Sequence, residues 1–321
     1  MTKIGDSLDE ALNLLRNDEI IAIPTETVYG LAGNAYKPEV VIKIFEIKNR
    51  PTFNPLIVHT HSMESSLDFV EKWDKRLLKL AEHYSPGAIT FLLPKKDIIP
   101  DLVTAGSSRV AVRIPNHSVT LKLLKNLDFP LAAPSANPFG YVSPTSSEHV
   151  FQSLNHKIPM ILEGGKCSIG IESTIVGIEN NELVIYRLGG ISQENIEELV
   201  GKVSKIHTSS SKPETPGMLI QHYAPKKKLI LTNSLPKYVE LHNKDRMGII
   251  FFGKPFNKNY PFSNLSESRC LQEAAKNLFQ ILREIESWEV DYVVMEWIEE
   301  KGLGRAVNDR LKRAASSIIN F

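Results

Sequence analysis

The sequence predicts a two-domain protein of the mixed α/β class, and three observations carry that reading. Apolar runs of strand length alternate with helical periodicity as far as about Lys205. A serine- and proline-rich charged stretch then breaks the pattern, and alternation resumes beyond Lys228. With 321 residues, 42% hydrophobic and 23% charged, the chain can bury a core in each part.

The first element, within MTKIGDSLDEALNLLRNDE, sets Leu8, Leu12 and Leu15 on one helical face. Its apolar positions are spaced and not continuous, so it resembles neither a signal peptide nor a membrane span. Ile20 to Ile23 reads as a strand that Pro24 ends, with Thr25, Glu26 and Thr27 where the chain turns toward Tyr29 and Gly30. From Pro38 to Lys48, Val41, Ile44, Phe45 and Lys48 recur at helical spacing. Lys48 and Arg50 therefore emerge near a helix C-terminus before Pro51, where cations complement the helix dipole.

Further strands are expected at Leu56 to Val58, Ile89 to Leu93, Val110 to Ile114, Leu131 to Ala133, Thr174 to Ile178 and Leu183 to Arg187. Ser135-Ala136-Asn137 follows one of them between Pro134 and Pro138. It offers hydroxyl and amide groups to phosphate or ribose, and the same composition also fits a turn whose side chains satisfy themselves. Basic and hydroxyl residues recur at strand ends: Arg109 and Arg113, Ser173 and Thr174, and Arg187 before Gly189-Gly190. They either support strands or converge.

The segment HTSSSKPETPG, His207 to Gly217, has linker chemistry and marks the domain boundary. Beyond it, strands are expected at Leu229 to Leu231, Met247 to Phe252 and Asp291 to Glu296, with helices at Leu271 to Glu286 and Ala306 to Ile319. This pattern suits a small, open, mostly parallel sheet. Both helices read as packing and solvated faces.

Several functions are disfavoured by the residues themselves. A net charge of +1 with pI near 7.8 gives no general basic surface for nucleic acid, though a focused basic pocket stays open. The two cysteines, Cys167 and Cys270, form neither a disulfide framework nor a Cys-x-x-Cys site, which fits a reducing cytoplasm. His59-Thr60-His61 lacks a third metal ligand. GGKCS at Gly164 to Ser168 lacks the upstream glycine of a P-loop and the Ser or Thr after its lysine, and GLGRAV from Gly302 lacks the last glycine of a dinucleotide fingerprint.

Five motifs nonetheless occur in one order: PTETVYGL, Lys48-Asn49-Arg50, Ser135-Ala136-Asn137, IESTIV from Ile171 and YRLGG from Tyr186. Together they resemble the YrdC-type threonylcarbamoyl-AMP synthase family. PGMLIQHYAP at Pro216 to Pro225 and the terminal GLGRAVNDRLKRAAS resemble its longer, two-domain form. The resemblance implies a YrdC-like twisted mixed-sheet catalytic domain over residues 1–206. An interdomain linker and candidate active-site lid would follow over 207–228, then a smaller Rossmann-like α/β domain over 229–321. In the lid, His222-Tyr223 would reach back over the nucleotide.

The implied reaction makes L-threonylcarbamoyladenylate and pyrophosphate from L-threonine, bicarbonate or CO2, and ATP, feeding threonylcarbamoyladenosine formation in tRNA. Matched position by position, Lys48 and Arg50 are the catalytic candidates. Thr27, His59, Arg113 and Ser173 fall to L-threonine. Lys48, Arg50, Asn54, Arg109, Ser135, Asn137, Ser143, Arg187 and Tyr223 fall to ATP. Mg²⁺ is expected to enter with ATP, with no metal held by the protein alone and no tightly bound cofactor. The expected partners are the substrates and a downstream tRNA threonylcarbamoyl transferase machinery, with no membrane; contact with tRNA itself stays open, as does the general base. Two alternatives from other classes remain at this stage: an RNA-binding or ribosome-maturation module, and carbamoyl transfer to a protein or antibiotic acceptor.

Overall fold

A computed structural model describes residues 1–203, 205–206 and 223–321. The stretch 207–222, which holds most of the expected linker and His222, lies outside the described residues. Two compact units emerge, one of Met1–Phe139 with Ser143–Leu219, the other of Gly140–Val142 with Ile220–Phe321.

The strands of the first unit are β1 (Lys3–Gly5), β2 (Ile21–Ile23), β3 (Gly30–Asn34), β4 (Ile57–His59), β5 (Ile89–Pro94), β6 (Arg109–Arg113), β7 (Leu131–Ala132), β8 (Met160–Leu162), β9 (Thr174–Glu179), β10 (Glu182–Arg187) and β11 (Lys205–Ile206). They form one mixed sheet in the order β1-β8-β2-β3-β7-β4-β6-β5-β9-β10-β11. All seven strands expected in this part are present within a residue or two. Those the sequence reading did not separate are β1, β3, β8 and β11. Of these, β3 reads GLAGN and is buried throughout, so it shows no alternation, and the others have at most three residues.

Helices pack on the sheet as their apolar spacing requires. Ser7 caps Leu8–Arg16 by accepting a bond from Glu10 N, and Ala11, Leu12 and Leu15 are buried. Pro38–Lys48 begins on its proline and buries Val40, Val41, Ile44 and Phe45, and also Lys48. It ends on Asn49 in the left-handed region at φ 51°, which turns the chain sharply before Arg50.

The second unit is an all-parallel sheet of β12 (Lys228–Thr232), β13 (Met247–Phe251), β14 (Phe262–Asn264), β15 (Tyr292–Glu296) and β16 (Ser317–Ile319), ordered β14-β13-β15-β12-β16. This is a Rossmann-like layering, although its order differs from the 3-2-1-4-5-6 of dinucleotide-binding sheets. One expectation is corrected. The last helix spans Leu303–Ala314 and does not continue to Ile319. Ala315 leaves helical geometry at ψ 136°, and the β-branched Ile318 and Ile319 instead add a strand beside β12. The spacing of Ala306, Leu311 and Ala314 carries on to Ile318, so periodicity alone could not locate the stop. Leu271–Glu284 is helical, followed by a tighter turn at Ile285–Ser287. Among the described residues no helix is long and apolar enough to cross a membrane.

Candidate active site

Alternation along the central strands gives the sheet two different faces. Val58, Phe91, Val110, Val112, Val176 and Ile185 point into the large core. Ile57, Leu92, Ala111, Ile175, Val184 and Tyr186 form a separate apolar patch on the other face. His59 and Arg113 belong to that second face. They pair across the parallel β4 and β6, in register with Ile57 and Ala111.

The exit of β2 reaches this corner. Thr25 Oγ1 donates to Val28 O at 2.6 Å and accepts from the Thr27 and Val28 amides, which fixes the turn Thr25–Val28. Glu26 O accepts from Ile169 N at 2.8 Å. With its backbone so held, the Glu26 carboxylate sets Oε1 2.9 Å from Arg113 Nη2, both side chains being about 95% buried. Glu26 Oε1 and Oε2, Arg113 Nη2 and His59 Nδ1 are buried and make no hydrogen bond with any described residue. Burial, helped by the Arg113 charge, holds the His59 pKa down to about 3, so its imidazole is neutral.

The cations after Pro38–Lys48 behave differently. Lys48 Nζ donates to both Ser135 O and Asn137 O at 2.5 Å, and Lys48 O accepts from Phe139 N at 2.8 Å. The lysine thus ties the Ser135–Asn137 loop to the helix end. Burial, then the nearby Arg50 charge, pushes its pKa well below the usual lysine range. Arg50 donates to Asn54 O, Asn54 Oδ1 and Pro55 O at 2.7 to 3.0 Å, which folds residues 50–55 around its guanidinium. Asn54 Nδ2 is buried and without a hydrogen-bond partner among the described residues.

A third group closes the arrangement. Arg187 donates to Ser173 O through Nε (3.1 Å) and Nη2 (2.8 Å), and to Ser173 Oγ. Ser173 Oγ lies 2.7 Å from Thr90 Oγ1, and Ser143 Oγ donates to Glu172 Oε1 at 2.7 Å. Gly189 lets the chain pass because a Cβ there would lie 2.3 Å from Glu172 O. The peptide of Tyr29 joins two of the loops: its N–H donates to Pro144 O and its carbonyl accepts from Ala136 N. The loops bearing Thr27, Ser135, Asn137 and Ser143 are thereby neighbours.

Two expected residues make contacts outside these three groups. Arg109 starts β6 while Arg113 ends it, so about 13 Å of strand separates them at ~3.3 Å per residue. Its guanidinium donates to Ile178 O and Tyr186 Oη. Tyr223 is buried in the second unit, stacked on Phe279 at 5.3 Å beneath the Arg310 guanidinium. Conversely, the sequence reading assigned no role to Glu26, Thr90 or Glu172. Glu26 lies inside PTETVYGL and Glu172 inside IESTIV, so the motifs contained them without marking their contacts. Among the described residues no three His, Cys, Asp or Glu side chains gather as a metal site.

Comparison with known proteins agrees with this architecture. Residues 13–189 match the Sua5/YciO/YrdC family model, described as telomere recombination. Residues 191–316 match the model for the threonylcarbamoyl-AMP synthase C-terminal domain. A threonylcarbamoyl-AMP synthase of Pyrococcus abyssi is 37% identical, covering 95% of this chain and 93% of the relative. One from Bacillus subtilis is 35% identical, covering 97% and 93%. The crystal structure of P. abyssi Sua5 complexed with L-threonine superposes with a TM-score of 0.93 at 36% identity, covering 100% of both chains.

Proposed function

The chain belongs to the Sua5/YrdC family of threonylcarbamoyl-AMP synthases, and from that premise we propose where and how its reaction runs. It is an enzyme that forms L-threonylcarbamoyladenylate from L-threonine and ATP for threonylcarbamoyladenosine modification of tRNA. The observation that supports our siting of the chemistry is the Arg113 corner. Four buried polar atoms there lack hydrogen-bond partners among the described residues, beside loops rich in hydroxyls and cations. Buried polar atoms in folded proteins are nearly always satisfied, so a cluster of exceptions marks where a ligand completes the structure.

In this reading Arg113 holds the α-carboxylate of threonine, with Thr27, neutral His59 and Ser173 around its polar groups. Bicarbonate gives CO2 and hydroxide. The neutral amine's lone pair attacks the CO2 carbon, and a C–N bond forms as one C=O π pair moves onto oxygen. The proton the nitrogen gives up combines with the hydroxide as water. A carbamate oxygen then attacks the α-phosphorus of ATP, and the bond to the bridging oxygen breaks so that pyrophosphate leaves with its electron pair. Lys48, Arg50 and Arg187, with Asn54, Ser135, Asn137 and Ser143, hold the loops and counter the phosphate charge; Arg109 is assigned a supporting part. Such transfers depend chiefly on positioning and electrostatics. Mg²⁺ travels with ATP and shields its phosphates.

Residues 1–206 form the catalytic domain and 229–321 the accessory one. The span 207–228, with Tyr223, acts as a lid that limits hydrolysis of the labile carbamate and adenylate. Deleting it should raise ATP hydrolysis relative to product, and an unchanged ratio removes that role. The protein works in the cytoplasm and passes its product to a tRNA transferase. The test is pyrophosphate release from ATP and bicarbonate with each amino acid in turn. Release should depend on L-threonine, and equal release with all amino acids or with none would overturn the reading.

A further inference from the structure

Glu26 has no part in the roles assigned above, yet its carboxylate pairs with Arg113 in this corner. It is 5% exposed, and its one ion pair among the described residues, with Arg113 Nη2 at 2.9 Å, does not have hydrogen-bond geometry. A buried carboxylate needs about two or three donors to offset its desolvation, and beyond the Arg113 ion pair this one has none among the described residues. Nor is it a loose side chain that fell inward. The turn that carries it is fixed through Thr25 Oγ1 and through the bond from Ile169 N to Glu26 O. Its charge also acts on Cys167, whose thiol is pushed up to about 12 by burial first and by Glu26 second.

We propose that Glu26 binds the α-ammonium group of the amino-acid substrate, so that Glu26 and Arg113 together read the zwitterion. The inference rests on the reading of this corner as the amino-acid site and adds to it a requirement for a free primary amine. An α-amino acid carries its anion and its cation on one carbon, and the corner presents the complementary pair in contact. The ammonium brings three donors to a carboxylate that lacks them, and the α-carboxylate brings acceptors to an Arg113 nitrogen that lacks one. Neutral His59 adds an uncharged nitrogen to the same surface and does not repel the cation. The site should therefore discriminate against α-hydroxy acids and N-acylated amino acids, which offer the carboxylate but no ammonium.

The test is calorimetric titration of the full chain with L-threonine and with 2,3-dihydroxybutanoate, in which a hydroxyl replaces the amine. Wild type should bind L-threonine about tenfold or more tightly than the analogue, and Glu26→Gln should lose most of that preference while analogue affinity moves by less than about threefold. If Glu26→Gln weakens both ligands by the same factor, Glu26 only props Arg113 and the proposal is overturned. If wild type binds both alike, the amino-acid site stands and the ammonium role falls. If wild type binds neither, the amino-acid site itself falls. ATP affinity, measured in parallel, reports folding. Should Glu26→Gln lose it, the same ratio is read on Glu26→Asp, which keeps the charge and shortens the reach. A reduced preference there supports the proposal, and an unchanged one overturns it.

Discussion

The loop that Lys48 holds and the corner that Arg113 holds are both buried and cationic, but they are satisfied in opposite ways. Lys48 spends its ammonium on two backbone carbonyls, and Arg50 wraps its own following loop. Among the described residues Arg113 faces a carboxylate with no other donor and an imidazole nitrogen with no hydrogen-bond partner. The difference teaches that one cationic group is first of all a clasp, which holds the loops proposed for the nucleotide, whereas the other is, among the described residues, an incomplete set of partners that a small ligand can finish.

The largest expected effect follows from the incomplete side. Arg113→Ala leaves Glu26 buried with no counter-charge, which should lower stability by about 3–5 kcal/mol as well as abolish threonine binding. Adding Glu26→Gln should return part of that stability in chemical denaturation. A double variant no more stable than Arg113→Ala would mean that the pair is not energetically coupled.

Next comes the clasp. Lys48→Ala should reduce kcat/KM by about 100- to 1000-fold, ~2.7–4 kcal/mol of transition-state stabilisation. It should also lower stability by about 1–3 kcal/mol per orphaned carbonyl at Ser135 and Asn137. A catalytic loss with unaltered stability would show that the lysine serves phosphate alone.

His59 gives a smaller and pH-dependent effect. It titrates near 6.5 when unfolded and is held to about 3 in the fold, so between those values the unfolded chain binds the extra proton. Stability should therefore fall as pH drops from about 6.5 toward 3, by on the order of a few kcal/mol, and be unaffected by this group at higher pH. His59→Gln should flatten that slope in a midpoint-versus-pH series. An unchanged slope would place the acid sensitivity elsewhere.

The smallest effect belongs to Arg109, held by Tyr186 and Ile178 at the far end of β6. Arg109→Ala should change the KM for ATP by less than about threefold, given the many other donors proposed for the phosphates. A hundredfold change would extend the nucleotide site along the whole strand.

Much of this contrast was written in the sequence, and its reason was not. The order of PTETVYGL, Lys48-Asn49-Arg50, Ser135-Ala136-Asn137, IESTIV and YRLGG pointed to the family, and apolar spacing placed Pro38–Lys48 without error. The partners could not be read, because they depend on where a twisted sheet brings segments distant along the chain. Nothing around Glu26 announces Arg113, and nothing around Lys48 says that its ammonium points into a loop of carbonyls and not toward water. The fold failed to be legible for similar reasons. In β3, burial on both faces erases the alternation on which strand assignment rests, and in Ser317–Ile319 a helix-like spacing conceals an edge strand.

The most direct test of the division between clasp and corner is a pair of dissociation constants, for ATP and for L-threonine, measured on Lys48→Ala and on Arg113→Lys. Lys48→Ala should weaken ATP with little change for threonine, and Arg113→Lys should weaken threonine with little change for ATP. Equal weakening of both ligands in both variants would contradict the account.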